Sequence, residues 1–141
     1  MATNSAGSVA RYTHENQTET IRFGVNFNDA GIASGIGKQT LPANAIVLRS
    51  IVQVDTAFNA ATTNVLSVGI EASTYANMIS NSAAAAGATG LKVGVLSGTA
   101  IVPLAADSQV FVLYTQTGTA ATAGHATVIV EYIPPNEGFR N

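Results

Sequence analysis

Many stretches of this chain place apolar side chains at every second residue, and several are apolar at the intervening positions as well. In residues 20–27, Ile21, Phe23 and Val25 alternate with polar residues or glycine. A period of two is typical of β-strands, whose successive side chains point to opposite faces of a sheet. A strand that is apolar on both faces has to be covered on both. This need constrains the fold more than any other feature of the sequence.

The same alternation predicts further strands along the chain. They lie at 45–56, 65–70, 91–95, 110–115 and 128–133, with a short segment at 100–104 that Pro103 marks as an edge or a strand end. In the strand at 45–56, one face is predicted to hold Ile46, Leu48, Ser50, Val52 and Val54, and the other face Val47, Arg49, Ile51, Gln53 and Asp55. Several strands are therefore apolar on both faces, among them this one and the strand at 110–115.

The connections between these strands carry weaker signals. Residues 31–40 are rich in glycine and are predicted to be a connection, as is the Thr/Ala/Gly segment 116–124. Residues 73–90 contain the run Ala83–Ala86, which favours a helix, among Asn, Ser and Gly, which favour a loop. A short helix and a surface loop both remain open for this segment.

About seven or eight evenly spaced strands without a long helix indicate an all-β fold. We predict a two-sheet antiparallel sandwich, jelly-roll-like, with a flexible N-terminal arm and a short C-terminal tail. The predicted organisation is a polar arm at 1–18, one β-sandwich domain at 19–135 and a tail at 136–141, after Pro134 and Pro135 stop the last strand.

The composition is poor in charge. Hydrophobic residues make up 47 % of the chain and charged residues only 10 %, against roughly 25 % charged residues in an average globular domain. Because surface charge keeps free monomers soluble, this deficit predicts that partner protein covers part of the surface. The alternative is a compact domain whose surface is built from Ser, Thr, Asn and Gln.

Composition also excludes several classes of function. The net charge is −2 and the six basic residues are scattered, so no basic face for nucleic acid is expected. No apolar run approaches the roughly 18 residues of a membrane span. Cysteine is absent, so the fold uses no disulfide, which fits synthesis in a reducing cytoplasm.

No motif in the sequence predicts a catalytic, cofactor or metal site. The glycine-rich segment 31–39 lacks the phosphate-loop spacing, because Gln39 follows Lys38 where a hydroxyl residue is required. The two histidines, His14 and His125, have no second ligand at zinc spacing. We therefore expect no enzymatic activity, no cofactor and no metal. A small hydrolase with a catalytic group assembled from distant residues is the alternative, for which His125 and Asp107 would be the residues to mutate.

The two ends of the chain carry residue types that anchor protein interfaces. Arg11 and Tyr12 lie in the predicted arm, and Phe139 and Arg140 lie in the tail. These four side chains are the candidate interface residues, with packing against their own domain as the alternative.

Residues 55–70 and 113–133, with the strand at 20–27 and the Leu41–Ala43 turn, resemble the small head proteins of tailed bacteriophages. The resemblance spans roughly residues 20–135 and is to cement or decoration proteins. It implies a jelly-roll-like sandwich on the outside of a capsid, as a homodimer or homotrimer, that clamps neighbouring major capsid proteins against internal pressure.

We therefore predict a structural virion protein on the capsid exterior, made in the host cytoplasm, whose partners are the major capsid protein and itself. It is predicted to bind neither nucleic acid nor membranes. The alternative is a receptor- or carbohydrate-binding β-sandwich module of a phage fibre or tail. Such a module needs aromatic side chains on one concave face, and the chain has only four Tyr and five Phe.

Overall fold

The computed structural model describes residues 18–80 and 85–135, and within these ranges it contains seven strands and no α-helix. The strands are β1 (Glu19–Asn26), β2 (Ile36–Leu41), β3 (Ile46–Thr56), β4 (Thr63–Gly69), β5 (Gly90–Val93), β6 (Ser108–Thr117) and β7 (His125–Ile133). A single 3-10 turn, Gly98–Ile101, lies between β5 and β6.

The strands form two antiparallel sheets. Sheet A has the order β1-β7-β3-β5 and sheet B the order β2-β6-β4. Odd-numbered strands lie in sheet A and even-numbered strands in sheet B, so every connection between consecutive strands crosses from one sheet to the other. This crossing pattern is that of a jelly roll, and it confirms the predicted all-β, two-sheet antiparallel sandwich.

A jelly roll has eight strands, and among the described residues Ile79, Ala85 and Ala86 pair with β4 where the eighth strand would lie. Ile79 N donates to Val68 O (2.8 Å), Val68 N donates to Ile79 O (3.1 Å), and Ala86 N donates to Asn64 O (2.9 Å). These contacts are isolated bridges rather than a ladder. They nevertheless cover the free edge of β4, and a covered edge cannot pair with another chain.

Of the two alternatives for residues 73–90, the short helix is wrong in the described part of this segment, which is a loop of turns and isolated bridges that lies partly in the core. No helix occurs in 73–80 or 85–90, and Met78 and Ile79 are fully buried. Helix propensity is a weak term, and burial of these two side chains together with backbone bonds to β4 outweighs it. Residues 81–84, including part of the alanine run, lie outside the described residues.

The core fills the space between the two sheets. Its largest fully buried side chains are Phe58, Leu41, Leu66, Met78, Ile79, Val25, Val52, Val54, Val68, Val110, Val112 and Val128. Phe58 packs against Tyr114 with ring centroids 4.8 Å apart. The Tyr114 hydroxyl donates to Asn64 Oδ1 (2.5 Å), so the one polar end of this aromatic pair is satisfied.

Two smaller predictions fail where glycine, proline or a bulge breaks the alternation. Residues 36–41, predicted to be a connection, form edge strand β2, in which the pairing with β6 shifts between Gly37 and Gln39. A bulge and a glycine hide the period of two that reveals a strand. The predicted short segment at 100–104 is instead the 3-10 turn followed by Leu104, which exchanges backbone bonds with Asn44 and Ala45.

A bulge also corrects the predicted faces of β3. Val47 pairs with Tyr132 and Arg49 with the preceding Glu131, so Leu48 is an extra residue in the ladder. Val47 is buried at 5 % exposure, whereas Ile46 and Leu48 are 40 % and 43 % exposed. Because one extra residue exchanges the two faces of a strand, Ile46 and Leu48 do not share the inner face with Ser50, Val52 and Val54. Those three residues are buried, as predicted.

Residues 77–79 join the two sheets at one side of the sandwich. Met78 N donates to Val68 O of sheet B (3.0 Å), and Met78 O accepts from Ser50 Oγ of sheet A (2.6 Å). Gly94, just after β5, allows this close approach, because a Cβ there would lie 2.1 Å from Met78 O and 2.6 Å from Ser50 Oγ.

We predict that Gly94→Ala lowers the free energy of unfolding by about 1–3 kcal/mol, the usual cost of overpacking a closely packed site. Urea unfolding followed by circular dichroism measures the change. Gly87→Ala is the matched control, because a Cβ at Gly87 meets nothing nearer than 3.6 Å. Equal stability of the two variants would show that the 77–79 segment does not close the sandwich as described.

Candidate protein-binding surface

The outer face of sheet B is covered in part by the chain itself. The ring of Tyr75 stacks on Phe111 with centroids 4.7 Å apart and an interplanar angle of 26°. Gly35 and Gly69 make room for it, since a Cβ at Gly35 would lie 2.3 Å from the Tyr75 ring and one at Gly69 2.7 Å from the Tyr75 backbone carbon. Much of the rest of this face consists of threonines, and the apolar outer side of β6 is thus partly shielded internally.

The outer face of sheet A has a different character. The strand register places one row of side chains across all four strands, in the order Arg22, Ile129, Ile51 and Val93. The next row toward one end of the sheet is Gly24, Thr127, Gln53 and Leu91. Toward the other end, Glu131 pairs with Arg49, and beyond them Ile133 pairs with Ile46.

We define the sheet A face as Ile46, Ile51, Leu91, Val93, Ile129 and Ile133, with Arg22, Arg49 and Glu131 among them. Ile46, Leu91 and Val93 are 40 %, 58 % and 57 % exposed. Ile51, at the centre, keeps only 9 % of its surface exposed because its neighbours on the face shield it. The face is therefore apolar across three strands, and in the described part of the chain its outer members remain open to solvent.

A bidentate ion pair lies between the apolar rows of this face. Arg49 Nε donates to Glu131 Oε2 (2.6 Å), and Arg49 Nη2 donates to Glu131 Oε1 (2.9 Å). These hydrogen bonds lower the pKa of the Glu131 carboxyl and raise that of the Arg49 guanidinium. The pair is exposed and contributes little to stability on its own, but its geometry is fixed.

A second exposed apolar group borders this face where β5 ends. We name Leu48, Val95, Ile101 and Val102 the apolar margin; they are 43 %, 74 %, 63 % and 50 % exposed. Gly94 N donates to Ser50 O (2.9 Å), and Leu104 N donates to Ala45 O (3.0 Å). These two bonds hold both ends of the 95–103 segment against the first half of β3, where Leu48 lies.

The turn that carries Ile101 and Val102 is anchored by Glu71. Glu71 Oε1 accepts from Thr99 N (3.1 Å) and from Thr99 Oγ1 (3.0 Å), and these bonds lower the pKa of Glu71. Gly98 permits the contact, since it has φ +55° and a Cβ there would lie 2.5 Å from Glu71 Oε1. The exposed side chains are thus presented from a positioned turn, an arrangement that lowers the entropy lost on binding.

The exposed large hydrophobic side chains of the described residues lie on β3, on β5 and in the 95–102 segment that follows β5. The seven are Ile46, Leu48, Leu91, Val93, Val95, Ile101 and Val102. At the opposite edge of sheet A, β1 exposes Glu19, Thr20, Arg22, Gly24 and Asn26. An exposed apolar patch of this kind marks an interaction surface.

The titratable groups of the described residues do not form a reaction centre. His125 Nδ1 lies 3.1 Å from Asp55 Oδ2, and Thr127 Oγ1 donates to the same oxygen (3.2 Å). A nucleophile would have to bond the imidazole, whereas this hydroxyl bonds the carboxylate. Asp107 accepts from Ala43 N (2.8 Å) and supports a turn. Within 18–80 and 85–135, no group of three or more His, Asp or Glu could hold a metal ion, and no helix could span a membrane.

The interface residues proposed from sequence, Arg11, Tyr12, Phe139 and Arg140, lie outside the described residues and stay predictions. The boundaries at 18/19 and 135/136 also stay predictions. Sequence reasoning missed the apolar margin, because Ile101 and Val102 were assigned to a strand end. The signal in the sequence is the apolar pair Ile101 and Val102, which lies between Gly98 and Pro103, two residues that interrupt a strand.

No protein-family model matches this chain. No curated protein matches it either. Among solved structures, a chain of the cyanophage Pam1 capsid asymmetric unit is similar with a TM-score of 0.62 and 22 % identity, covering 84 % of this chain and 86 % of that one.

Two further capsid structures contain a similar chain. That of the acid-stable capsid of Helicobacter pylori bacteriophage KHP30 has a TM-score of 0.58 at 16 % identity, covering 84 % of this chain and 88 % of that one. That of the capsid of Ralstonia phage GP4 has a TM-score of 0.56 at 20 % identity, covering 85 % and 86 %. At these identities the likeness shows a shared fold. Because both shares are nearly equal, each matched chain is about as long as this one.

We predict that Val95→Ser and Ile101→Ser shorten the retention of the protein on a hydrophobic-interaction column. The free energy of unfolding should change by less than about 0.5 kcal/mol, because exposed side chains contribute little to folding. Thr115→Ser, on the outer face of sheet B, is the matched control and should leave retention unchanged. A loss of stability above about 1 kcal/mol in either variant would show that these side chains pack internally.

Proposed function

We propose that this chain is a structural virion protein that binds the outer surface of a phage capsid and cements neighbouring major capsid protein subunits. The observation that carries the proposal is that the exposed large hydrophobic side chains of the described residues lie on β3, on β5 and in the adjoining 95–102 segment. A protein with only 10 % charged residues and such a patch is suited to permanent contact with other proteins.

The three similar structures support the capsid as the place of that contact. Each comes from a phage capsid, and each matched chain is about the length of this one. The proposed partner is therefore a larger protein of the shell, the major capsid protein. The proposed location is the capsid exterior, after synthesis in the host cytoplasm.

Cementing is proposed to work by contact area at the apolar margin. Val95, Ile101 and Val102 would insert between capsid subunits, burying apolar surface at roughly 25 cal/mol per Å². Each contact can be weak, because the attachment of one oligomer to several subunits at once raises the effective concentration of every further contact. This mechanism needs no chemistry, and we propose a non-enzymatic role.

The alternative role, receptor or carbohydrate binding, finds less support in the described residues. Binding sites for small ligands are concave and rich in aromatic side chains. None of the described Phe and Tyr side chains is in the exposed class, and Tyr75 and Phe111 are engaged with one another.

The experiment is to purify intact virions and measure the copy number of this chain relative to the major capsid protein. We expect a fixed ratio of the order of one. Absence of the chain from the particle would overturn the proposal.

The contact surface is tested on particles stripped of the protein. Val95→Asp with Ile101→Asp should weaken rebinding by at least about tenfold, because a buried charge without a partner is costly. Thr115→Asp places the same charge on the opposite sheet and should rebind like the unmodified protein. Rebinding is measured by sedimentation with the particles, and equal rebinding of all three proteins would exclude the apolar margin as the contact.

A further inference from the structure

We propose that the sheet A face binds the same face of a second copy of this chain, about a two-fold axis that runs along the strands between β3 and β7. The inference deepens the proposed function, since it names the surface through which the proposed cement protein meets its twin. The apolar margin lies beyond this face and remains free to contact a capsid.

The order of the rows makes the face complementary to itself. A two-fold axis between β3 and β7 places β3 of one copy opposite β7 of the other and leaves each row facing itself. Ile51 then faces the partner subunit's Ile129, and Ile46 faces the partner subunit's Ile133, according to the pairs in the ladder. Apolar rows meet apolar rows, as an isologous interface requires.

The same axis makes the charges complementary. It places Arg49 opposite the partner subunit's Glu131, and Glu131 opposite the partner subunit's Arg49. Arg49 binds its own Glu131 through Nε and Nη2, so Nη1 remains available to donate across the interface. A ring of four alternating charges results. A two-fold axis perpendicular to the strands that passes through this row would instead place Arg49 opposite the partner subunit's Arg49 and Glu131 opposite the partner subunit's Glu131, so that like charges face each other.

The outermost strands also match under this operation. The axis carries β5 over β1 of the partner, so Leu91 faces the partner subunit's Gly24, and a large exposed side chain meets a position without one. Val93 faces the partner subunit's Arg22. No side-chain hydrogen bond or ion pair is recorded for Arg22 in the described residues, and its aliphatic stem can pack on valine.

The area of the face is that of a small interface. Three strands that each present about 27 Å, and β5, whose four residues span about 13 Å, give roughly 450 Å² per copy at a strand spacing of about 4.8 Å. Two copies would bury roughly 900 Å², within the range of weak, reversible interfaces below about 1,200 Å². Two twisted sheets stacked face to face with nearly aligned strands are also a common packing mode.

Cross-linking tests the axis. The chain has no cysteine, so Val93→Cys and Arg22→Cys each introduce a single thiol at an exposed position. We expect a short bifunctional thiol reagent to join the two variants when they are mixed. Either variant alone should join poorly, because β5 and β1 lie three strand spacings apart, about 14 Å. Preferential joining of Val93→Cys to itself would overturn the axis.

Charge reversal tests the face. Analytical ultracentrifugation should give a dimer for the unmodified protein. Arg49→Glu and Glu131→Arg should each raise the dimer dissociation constant at least about tenfold, since like charges then face each other. An equimolar mixture should regain the dimer, because one copy is then acidic and the other basic at this row. Thr115→Glu, on sheet B, should remain dimeric, and circular dichroism verifies that every variant is folded.

Two results overturn the inference. One is a monomer mass for the unmodified protein at all concentrations. That result would mean that a second copy does not cover the face, and that residues 1–17 or another protein could do so instead. The other is a dimer that Arg49→Glu leaves unchanged. These measurements use no capsid, so the two proposals can fail separately. If the protein is a dimer but is absent from virions, the proposed function alone is wrong. If the protein is present in virions but is a monomer in solution, this inference alone is wrong.

Discussion

The need to cover sheets that are apolar on both sides governs this molecule. Each strand buries one face in the core between the sheets, and the outer faces then need a second solution. Sheet B is covered in part by its own chain, where Tyr75 stacks on Phe111 and Met78, Ile79 and Ala86 bond to the edge of β4. The outer face of sheet A has no such cover in the described residues, where Ile46, Leu91 and Val93 are exposed. Because the chain covers part of sheet B but not sheet A, the sheet A face and the apolar margin beside it are the surfaces that carry both functional proposals.

That surface divides into two parts with different physical character. The sheet A face is flat, is built from regular rows and holds a fixed ion pair, so it suits another regular sheet. The apolar margin is formed by one bulged residue and a turn, and its side chains project from the edge, so it suits an irregular joint between other subunits. A protein that must both meet its twin and grip a lattice needs two such surfaces, and a sandwich of this size has room for both. The chains of three phage capsids that resemble this protein share its fold.

The strands could be predicted wherever the period of two is unbroken, as in β1, β6 and β7. The pattern failed at β2, where glycine and a bulge at Lys38 interrupt it, and in the first half of β3, where Leu48 shifts the faces. A bulge depends on the partner strand, so nothing in the residues of β3 alone reveals it. Helix and loop both stayed open for residues 73–90 for a related reason, because the burial of Met78 and Ile79 depends on backbone bonds to β4 that local propensity does not encode.

The sequence by itself determined that this chain is an all-β sandwich, that it lacks the residue patterns of known catalytic and metal sites, and that its apolar strands need more cover than two facing sheets supply. These properties follow from local alternation and composition, which act along the chain. Only the tertiary structure decided which sheet is left uncovered and which side chains border it. Exposure of Val93, Val95 or Ile101 depends on whether some distant segment packs over them. That packing is set by strand order and register, which bring together residues far apart in sequence.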